Sequence, residues 1–256
     1  MLRISSAAAS HPGLRREDNE DAYCLRPDLG LYAVADGMGG HAAGEIASRL
    51  AIDAIEAFVD DTKTADVNRT WPFPFDRSLS LEGNRLRAGF RLANRKIASA
   101  MEANESLRGM ATTAAVMLFG PDRPSIAHVG DSRIYRLRGR RLEQLTADHS
   151  WVSEQVRAGV MTEADARRHP WRNVVTRALS GGDDPDVDIV DVSIENADTF
   201  LICSDGLSSV VSHEVLESIV NSAGALESTC SALVDAANTA GGPDNITVAI
   251  LTLHVE

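Results

Sequence analysis

The sequence has few cysteines, few aromatic residues and no long apolar run. Its three cysteines are an odd number without CxxC spacing, and aromatic residues make up only 5% of the 256 residues. This cysteine usage gives no zinc signature and suits a reducing compartment. The apolar runs fall well short of the roughly 20 residues that span a bilayer, and the N-terminus lacks the apolar core of a secretory signal. We therefore expect a cytoplasmic protein with no membrane association.

Positive charge is also scarce. There are 25 Lys and Arg against 37 Asp and Glu, which gives a formal net charge of −12. Nucleic-acid binding needs Lys and Arg concentrated on one face, so we expect no nucleic-acid partner. The excess of acid has two explanations: a solvated surface, or carboxylates that cations hold together. No repeat or linker divides the chain, and its length suits a single domain spanning residues 1–256.

Apolar periodicity predicts an α+β protein rather than a doubly wound sheet. The connections GPDRP and GDS are too short for a parallel crossover, so the strands that they join should pair antiparallel. Strand pairs separated by helix pairs favour a layered sandwich. Strands are expected at 31–35, 111–119, 125–129, 132–137, 187–193, 199–204 and 246–254. Helices are expected at 43–58, at 86–101, after an N-cap at Ser212, and at 226–237.

Two stretches are predicted to be irregular. Residues 60–82 are polar and carry a WPFPF insert whose prolines forbid a helix. Residues 151–171 hold one short capped helix at 162–168 and precede a strand-like NVVTRAL. Both stretches should therefore form loops on the sandwich.

Four aspartates in turn-like segments predict a metal centre. They are Asp36 in VADGMGGH, Asp131 in HVGDSR, Asp205 in CSDGL and Asp244 in GPDN. The first three end apolar runs that are predicted to be strands, and each has a Gly or Asn nearby that tolerates a tight turn. Carboxylates brought to one rim suit Mg²⁺ or Mn²⁺, which prefer oxygen ligands.

The glycine-rich segment after Asp36 has an alternative interpretation as a phosphate cradle at a helix N-terminus. It lacks the GK[ST] ending of a P-loop and the GxGxxG fingerprint, and its aspartate repels phosphate unless a cation intervenes. Arg16 opens the run REDNED, which also holds Glu20 and Asp21. Its planar fork of donors can hold two phosphate oxygens, and the nearby carboxylates can orient water around a metal. Taken alone, this run is also compatible with a mixed-charge surface.

The ordered motifs of the chain resemble those of the metal-dependent protein phosphatases of the PP2C type, and the bacterial branch matches best. The resemblance extends from about Leu14 to Val248, nearly the whole chain. It implies a central β-sandwich of two antiparallel sheets flanked by helices on both sides, in four layers. The motifs that carry it are REDNEDA, VADGMGGHAAGEIAS, ATT, HVGDSRIYRL, LTADHS, VVTRALS, LICSDGLS and GPDNITV.

The resemblance also implies a role for each site residue. Asp36 should bridge two core Mn²⁺ or Mg²⁺ ions, with the Gly37 carbonyl on one of them and Asp205 and Asp244 completing the other. Asp131 should hold a third, weaker ion together with Asp205. Three further implied roles are phosphate binding by Arg16, outer carboxylates at Glu20 and Asp21, and a flap formed by about residues 150–171.

The implied reaction is hydrolysis of phosphoserine and phosphothreonine by a water that bridges the metals, without a covalent intermediate. Eukaryotic relatives have histidine two residues after the bridging aspartate, where this chain has Met38. His41 is the replacement that bacterial relatives share. Its imidazole suits proton donation to the leaving group, and a capping or packing role at the helix start is equally compatible. His128 and His149 have no metal role in the family, and His128 is expected to be a satisfied core histidine.

The expected partners are phosphorylated proteins and a cognate Ser/Thr kinase, and we expect a monomer. Two alternatives from other classes remain open at this point. One is a catalytically silent member of the family that acts as a binding module, which the intact set of four aspartates disfavours. The other is a two-metal nuclease or phosphodiesterase, which the acidic net charge disfavours.

Overall fold

Two antiparallel sheets pack face to face in the computed structural model, which describes residues 2–40, 43–64, 71–121, 123–222 and 224–255. The strands are β1 (Leu2–His11), β2 (Asp21–Arg26), β3 (Leu31–Met38), β4 (Ala111–Thr112), β5 (Ala114–Leu118), β6 (Ser125–Val129), β7 (Arg133–Arg138), β8 (Arg141–Gln144), β9 (Asp188–Asp191), β10 (Thr199–Cys203) and β11 (Ile246–Val255). The five-stranded sheet has the order β1-β11-β10-β7-β8. The six-stranded sheet has the order β2-β3-β5-β6-β9, with β4 paired to the end of β3.

Helices cover the outer face of each sheet. The helices are α1 (Ala43–Thr62), α2 (Leu81–Ala103), α3 (Trp151–Arg157), α4 (Glu163–Ala166), α5 (Asp205–Ser208), α6 (His213–Val220) and α7 (Leu226–Thr239), with a 3-10 turn at Glu105–Leu107. The long helices α1 and α2 pack on the six-stranded sheet, and α5, α6 and α7 pack on the five-stranded sheet. Among the described helices, none is long and apolar enough to cross a membrane.

Strand alternation sorts the core into three apolar layers. In β3, Leu31, Ala33 and Ala35 pack against the helices, whereas Tyr32 and Val34 face the other sheet. Successive side chains of a strand point to opposite faces, so this pattern follows directly from the sequence. The predicted four-layer α+β sandwich is confirmed. The even-numbered residues of β3, such as Tyr32 and Val34, point their side chains into the space between the sheets.

One predicted strand pairing is wrong. The link of residues 130–132 does not join an antiparallel pair, because β6 lies in one sheet and β7 in the other. Gly130 adopts a φ of 99°, which an L side chain rarely takes, and the chain crosses between the sheets there. The other short connection, GPDRP, joins β5 and β6, which pair antiparallel as expected. The crossing places Asp131 at the end of the sandwich.

Other element predictions differ at their edges. The strand expected at 31–35 continues to Met38, and the one expected at 111–119 is interrupted at Thr113. The loop expected at 60–82 is shorter, since helix continues to Thr62 and resumes at Leu81, and residues 65–70 lie outside the described part. NVVTRAL forms no strand and makes only isolated bridges. The strands β1, β2 and β8 were not predicted.

The stretch expected to be irregular at 151–171 contains two helices. The longer, α3, was not predicted, and Ser150 caps it by accepting a hydrogen bond from the Ser153 N–H. The shorter, α4, matches the predicted capped helix, and Thr162 accepts from the Asp165 N–H. Ser212 likewise caps α6, as predicted.

Candidate metal centre

Strands β2 and β3 bring Asp21 and Asp36 together. Asp36 lies inside β3, and its side chain continues the inward-facing row begun by Tyr32 and Val34. The register pairs Asp21 directly with Asp36 across the two strands. Because residues directly opposite one another share a face of the sheet, both carboxyl groups point into the gap between the sheets.

The five-stranded sheet supplies Asp205 and Asp244 to the same end. Asp205 is the first residue of α5 and follows β10 after Ser204 alone. Asp244 stands two residues before β11, which pairs antiparallel with β10. The two connections touch, since a Cβ added at Gly206 would lie 1.9 Å from the Asn245 carbonyl oxygen. Glycine is therefore required next to Asp205.

Asp131 joins them from the link that crosses between the sheets, where it is buried. We call Asp21, Asp36, Asp131, Asp205 and Asp244 the acid cluster. Each of the other four carboxylates acts electrostatically on Asp36. The four aspartates singled out in the sequence thus converge on one end of the sandwich, together with Asp21.

Crowding in the acid cluster opposes ionisation. Burial, and then the neighbouring carboxylates, raise the pKa of Asp36 well above its usual value. Burial is also the main cause that raises the pKa of Asp21 to about 7, of Asp131 to about 8 and of Asp205 to about 6. Such a cluster at neutral pH needs either protons or cations to balance its charge.

The oxygen atoms of the acid cluster suit a hard divalent cation. Asp21 Oδ2 accepts a hydrogen bond of 2.8 Å from Ser204 Oγ. Asp21 Oδ1 is buried and has no hydrogen-bond partner among the described residues. A buried oxygen without a partner is costly, and a cation or its water shell supplies what such an oxygen needs. The residues present therefore fit a Mg²⁺ or Mn²⁺ site.

Gly37 is held in a space that admits no side chain. A Cβ there would lie 2.1 Å from the Gly44 carbonyl oxygen and 2.5 Å from that of Glu20. The Gly37 N–H donates to the Glu20 carbonyl at 3.2 Å. Close approach of three backbone segments thus explains this glycine. The role of its carbonyl in metal binding stays a prediction.

Arg16 lies on the rim of the acid cluster. Its Nη2 donates to Asp244 Oδ2 at 2.8 Å, and its side chain is 53% exposed. The guanidinium is therefore accessible from solvent and already adjacent to a carboxylate of the cluster. Glu20, on the same loop, has a pKa that is raised mainly by burial, and a hydrogen bond from the Gly44 backbone opposes the shift.

Asn245, which sequence reasoning missed, holds this loop in place. Its Oδ1 accepts from the Glu20 N–H at 2.8 Å. Its Nδ2 donates to the carbonyls of Pro12 at 3.0 Å and Asp18 at 2.8 Å. The side chain is 5% exposed and directly follows Asp244. One amide thus fixes the loop that carries Arg16 and Glu20, and its only sequence signal is its place beside Asp244.

Two hydroxyl groups support the acid cluster and were also missed. Thr113, at the interruption between β4 and β5, accepts at Oγ1 from the Asp36 N–H at 3.1 Å and bonds Ser132 Oγ at 2.7 Å. Ser204 donates to Asp21 and accepts from the Thr247 N–H at 3.0 Å. These contacts give Ser204 a supporting role beside Asp21.

The predicted proton donor, His41, lies outside the described residues. A different histidine group comes together elsewhere, where ligand atoms of His128, His149 and Asp188 lie within 4.8 Å of one another. The two rings stack at 4.7 Å, so their in-plane lone pairs do not converge on one ion. His128 Nε2 donates to the Ala147 carbonyl at 2.9 Å, which confirms a satisfied core histidine.

Comparison with known proteins identifies the family. The model of the protein phosphatase 2C family matches residues 7–244. The chain is 37% identical to the protein phosphatase PhpP of Streptococcus pneumoniae over 249 residues, and this alignment covers 95% of each chain. The crystal structure of the Mycobacterium tuberculosis serine/threonine phosphatase PstP matches with a TM-score of 0.86 at 35% identity, over 100% of both chains. The PstP catalytic domain in complex with two manganese ions matches with a TM-score of 0.83 at 35% identity, also over 100% of both chains. Sequence, fold and the converging carboxylates agree: the chain belongs to the protein phosphatase 2C family.

Proposed function

We propose that the protein hydrolyses phosphoserine and phosphothreonine in phosphorylated proteins with the help of Mn²⁺ or Mg²⁺. The observation that carries this proposal is the acid cluster, in which both sheets contribute half-buried carboxylates to one end of the sandwich and the link between them adds the buried Asp131. Family membership and the similarity to a phosphatase domain that holds two manganese ions support it.

The proposed metal ligands follow the predicted roles. Asp36 would bridge two core ions, Gly37 would bind one of them, and Asp205 and Asp244 would complete the other. Asp131 would hold a third, weaker ion together with Asp205. When bound, divalent ions in such a site acidify water and neutralise the charge of a phosphoryl group.

The chain's own groups would bind and orient the substrate. Arg16 would grip two phosphoryl oxygens with its planar fork, in exchange for its contact with Asp244. Glu20 and Asp21 would orient water around the ions, and the buried Asp21 Oδ1 supports that role. His41 would give a proton to the departing serine or threonine oxygen, a proposal that rests on its sequence position.

The biological setting is proposed on the same basis. A phosphatase of this kind opposes a Ser/Thr kinase, and we propose that a cognate kinase phosphorylates its substrates. We further propose that it acts in the cytoplasm as a monomer with one catalytic domain. Burial of the free thiols of Cys24, Cys203 and Cys230 is compatible with a reducing compartment.

Phosphate release from synthetic peptides tests the proposal. With Mn²⁺, peptides that carry phosphoserine or phosphothreonine should be hydrolysed, EDTA should stop the reaction, and added Mn²⁺ should restore it. A short DNA duplex incubated with the same protein and Mn²⁺ should stay intact. Hydrolysis that survives complete chelation would overturn the assignment, and so would cleavage of the DNA in place of the peptides.

A further inference from the structure

The segment 150–175, which includes the predicted flap, is a loop closed at its base. The Trp151 N–H donates to the Val174 carbonyl at 2.9 Å, and the Thr176 N–H donates to the His149 carbonyl at 2.8 Å. Ser150 and Val175 form an isolated antiparallel bridge between these bonds. The base of the segment is therefore fixed at His149.

His149 also grips the residue that precedes Asp131. Its N–H donates to the Gly130 carbonyl at 2.9 Å, and its Nδ1 accepts from the Gly130 N–H at 3.2 Å. Gly130 is the residue with a φ of 99° where the chain crosses between the sheets. A single residue thus contacts both the closed base of the segment and the turn that aims Asp131.

The ring of His149 is locked from its other side. Since Nδ1 accepts from Gly130, the ring proton lies on Nε2, which is 3.2 Å from Asp188 Oδ2. Arg177 donates to Asp188 Oδ1 at 3.2 Å and lies on the stretch that leaves the segment. The His128 ring stacks on that of His149, whose side chain is 1% exposed. These contacts leave the ring one orientation.

We propose that His149 is a positioning residue that couples the conformation of the segment 150–175 to cation binding at Asp131. The inference rests on the proposed function, which makes Asp131 a ligand of the third ion. The Gly130 N–H to Nδ1 bond is the link: when it breaks, a buried amide loses its acceptor and the turn loses its second fixed point. Coupling of this kind is reciprocal, so a cation at Asp131 should also change the segment.

The segment carries its own reporter. The Trp151 and Trp171 rings lie 4.9 Å apart, and Trp151 also stacks on His169 at 4.9 Å. The remaining tryptophan, Trp71, packs against Phe75 before α2, and Trp71→Phe would leave the fluorescence to the segment alone. Mg²⁺ is the probe for fluorescence because Mn²⁺ quenches emission directly, and Mn²⁺ is the probe for calorimetry.

Two substitutions separate the hydrogen bond at Nδ1 of His149 from the one at Nε2. In His149→Asn the amide stands near the position of Nδ1 and can still accept from Gly130. In His149→Gln it reaches the position of Nε2 and can still bond Asp188, but Gly130 loses its acceptor. We expect His149→Gln to weaken the weakest Mn²⁺ site about tenfold and to flatten the Mg²⁺-dependent tryptophan signal. His149→Asn should stay within about threefold of the unsubstituted protein, and the tighter Mn²⁺ sites should be unchanged in both variants.

Other outcomes would overturn the inference. Unchanged Mn²⁺ binding and an unchanged tryptophan signal in His149→Gln would show that the link carries no coupling. Equal weakening in both variants would show that the Gly130 bond is not the link. Should His149→Gln fail to fold, Asp188→Ala removes the outer support of the ring together with the contact to Arg177, and it should weaken the same site about threefold; no weakening there would count against the inference. If the unsubstituted protein lacks metal-dependent hydrolysis of phosphopeptides, the proposed function fails. If it has this activity but the variants keep the same Mn²⁺ binding and the same tryptophan signal, only the coupling is rejected.

Discussion

The two sheets supply the acid cluster in different ways. The six-stranded sheet contributes Asp21 and Asp36 from paired strands, where the register itself sets them side by side. The five-stranded sheet contributes Asp205 and Asp244 from the connections beyond β10 and before β11, which the side chain of Asn245 ties to the N-terminal loop. A strand position is held by ladder hydrogen bonds, whereas a loop position depends on a few side-chain contacts. We call Asp21 and Asp36 the strand half of the acid cluster, and Asp205 and Asp244 the loop half. The fold of the strand half should survive the loss of a carboxylate, whereas the geometry of the loop half should depend on residues that touch no ion.

The strand half is tested most severely by Asp36→Asn. Turnover of a phosphopeptide should fall at least about a thousandfold, because loss of the bridging carboxylate removes several kcal/mol of metal-based stabilisation. The fold should persist, and the metal-free protein should unfold at a higher temperature, since the pKa of Asp36 is raised by burial and by its acidic neighbours. Phosphopeptide kinetics measure the loss of turnover, and thermal unfolding in EDTA measures the change in stability. Asp53→Asn, an exposed change on α1, should alter neither. Turnover within tenfold of the unsubstituted protein would contradict the bridging role.

Arg16, on the loop between the two halves, should matter for substrate rather than for stability. Arg16→Ala should lower kcat/KM about 10- to 100-fold, mostly through KM, because a charge-assisted contact to phosphate is worth roughly 1.5–3 kcal/mol. Arg16→Lys should recover only part of this loss, since Lys lacks the planar fork. The exposed ion pair with Asp244 adds at most about 1 kcal/mol to stability. An unchanged KM in Arg16→Ala would remove this residue from the phosphate site.

Asn245 tests the loop half. Asn245→Ala should lower the free energy of unfolding by about 2–3 kcal/mol, because the backbone groups of Pro12, Asp18 and Glu20 lose the buried amide to which they are hydrogen-bonded. Asn84 is the matched control: it is 4% exposed and clamps backbone groups near the start of α2. Asn84→Ala should cost similar stability and leave kcat/KM of the folded protein unchanged, whereas Asn245→Ala should reduce it about tenfold. Urea unfolding measures the stability of both variants, and kinetics measure kcat/KM. Full activity in both variants would refute the expected difference between them.

The pH dependence of stability tests the carboxylates from both sheets together with Asp131. The raised pKa values of Asp21, Asp131 and Asp205, at about 7, 8 and 6, mean that the folded protein binds protons that the unfolded chain releases near pH 4. Without metal, the contribution of these groups is therefore full below about pH 4 and is lost as pH rises to about 8. Each released proton steepens the fall by up to about 1.4 kcal/mol per pH unit. Urea titrations from pH 5 to 8 in EDTA should show the fall, and saturating Mn²⁺ should flatten it. A flat profile in EDTA would mean that the carboxylates are not crowded in solution.

Sequence patterns predicted the strands that carry a run of apolar residues, and they failed where only the pairing with another strand decides the structure. The end of β3 was misplaced because the apolar run stops at Asp36, whereas pairing with β4 continues the strand through Met38. NVVTRAL has the β-branched residues of a strand, but Val174 is 44% exposed, and among the described residues the stretch forms only isolated bridges. In β1, small residues give no apolar alternation, and the strand exists because β11 pairs with its whole length.

The candidate site was predicted unevenly for a similar reason. Aspartates beside glycines are visible in a sequence because the residue type itself suggests the chemistry. Asn245 and Thr113 work through backbone groups far away in the chain, so their roles appear only when the chain is folded. The crossing at Gly130 was missed because a three-residue link serves a hairpin and a change of sheet equally well.

The position of β11 has a consequence for biosynthesis. This strand lies between β1 and β10, and it pairs residue by residue with β1 from Leu2↔Val255 to His11↔Ile246. The chain must therefore be synthesised through β11 before β1 can find its neighbour and before Asp244 can be held beside the other carboxylates. Contacts this distant along the chain are formed late and slowly. A nascent chain in which β11 has not yet paired would then present Asp36 without a complete set of partners, so that the acid cluster forms only after the two most distant strands have met.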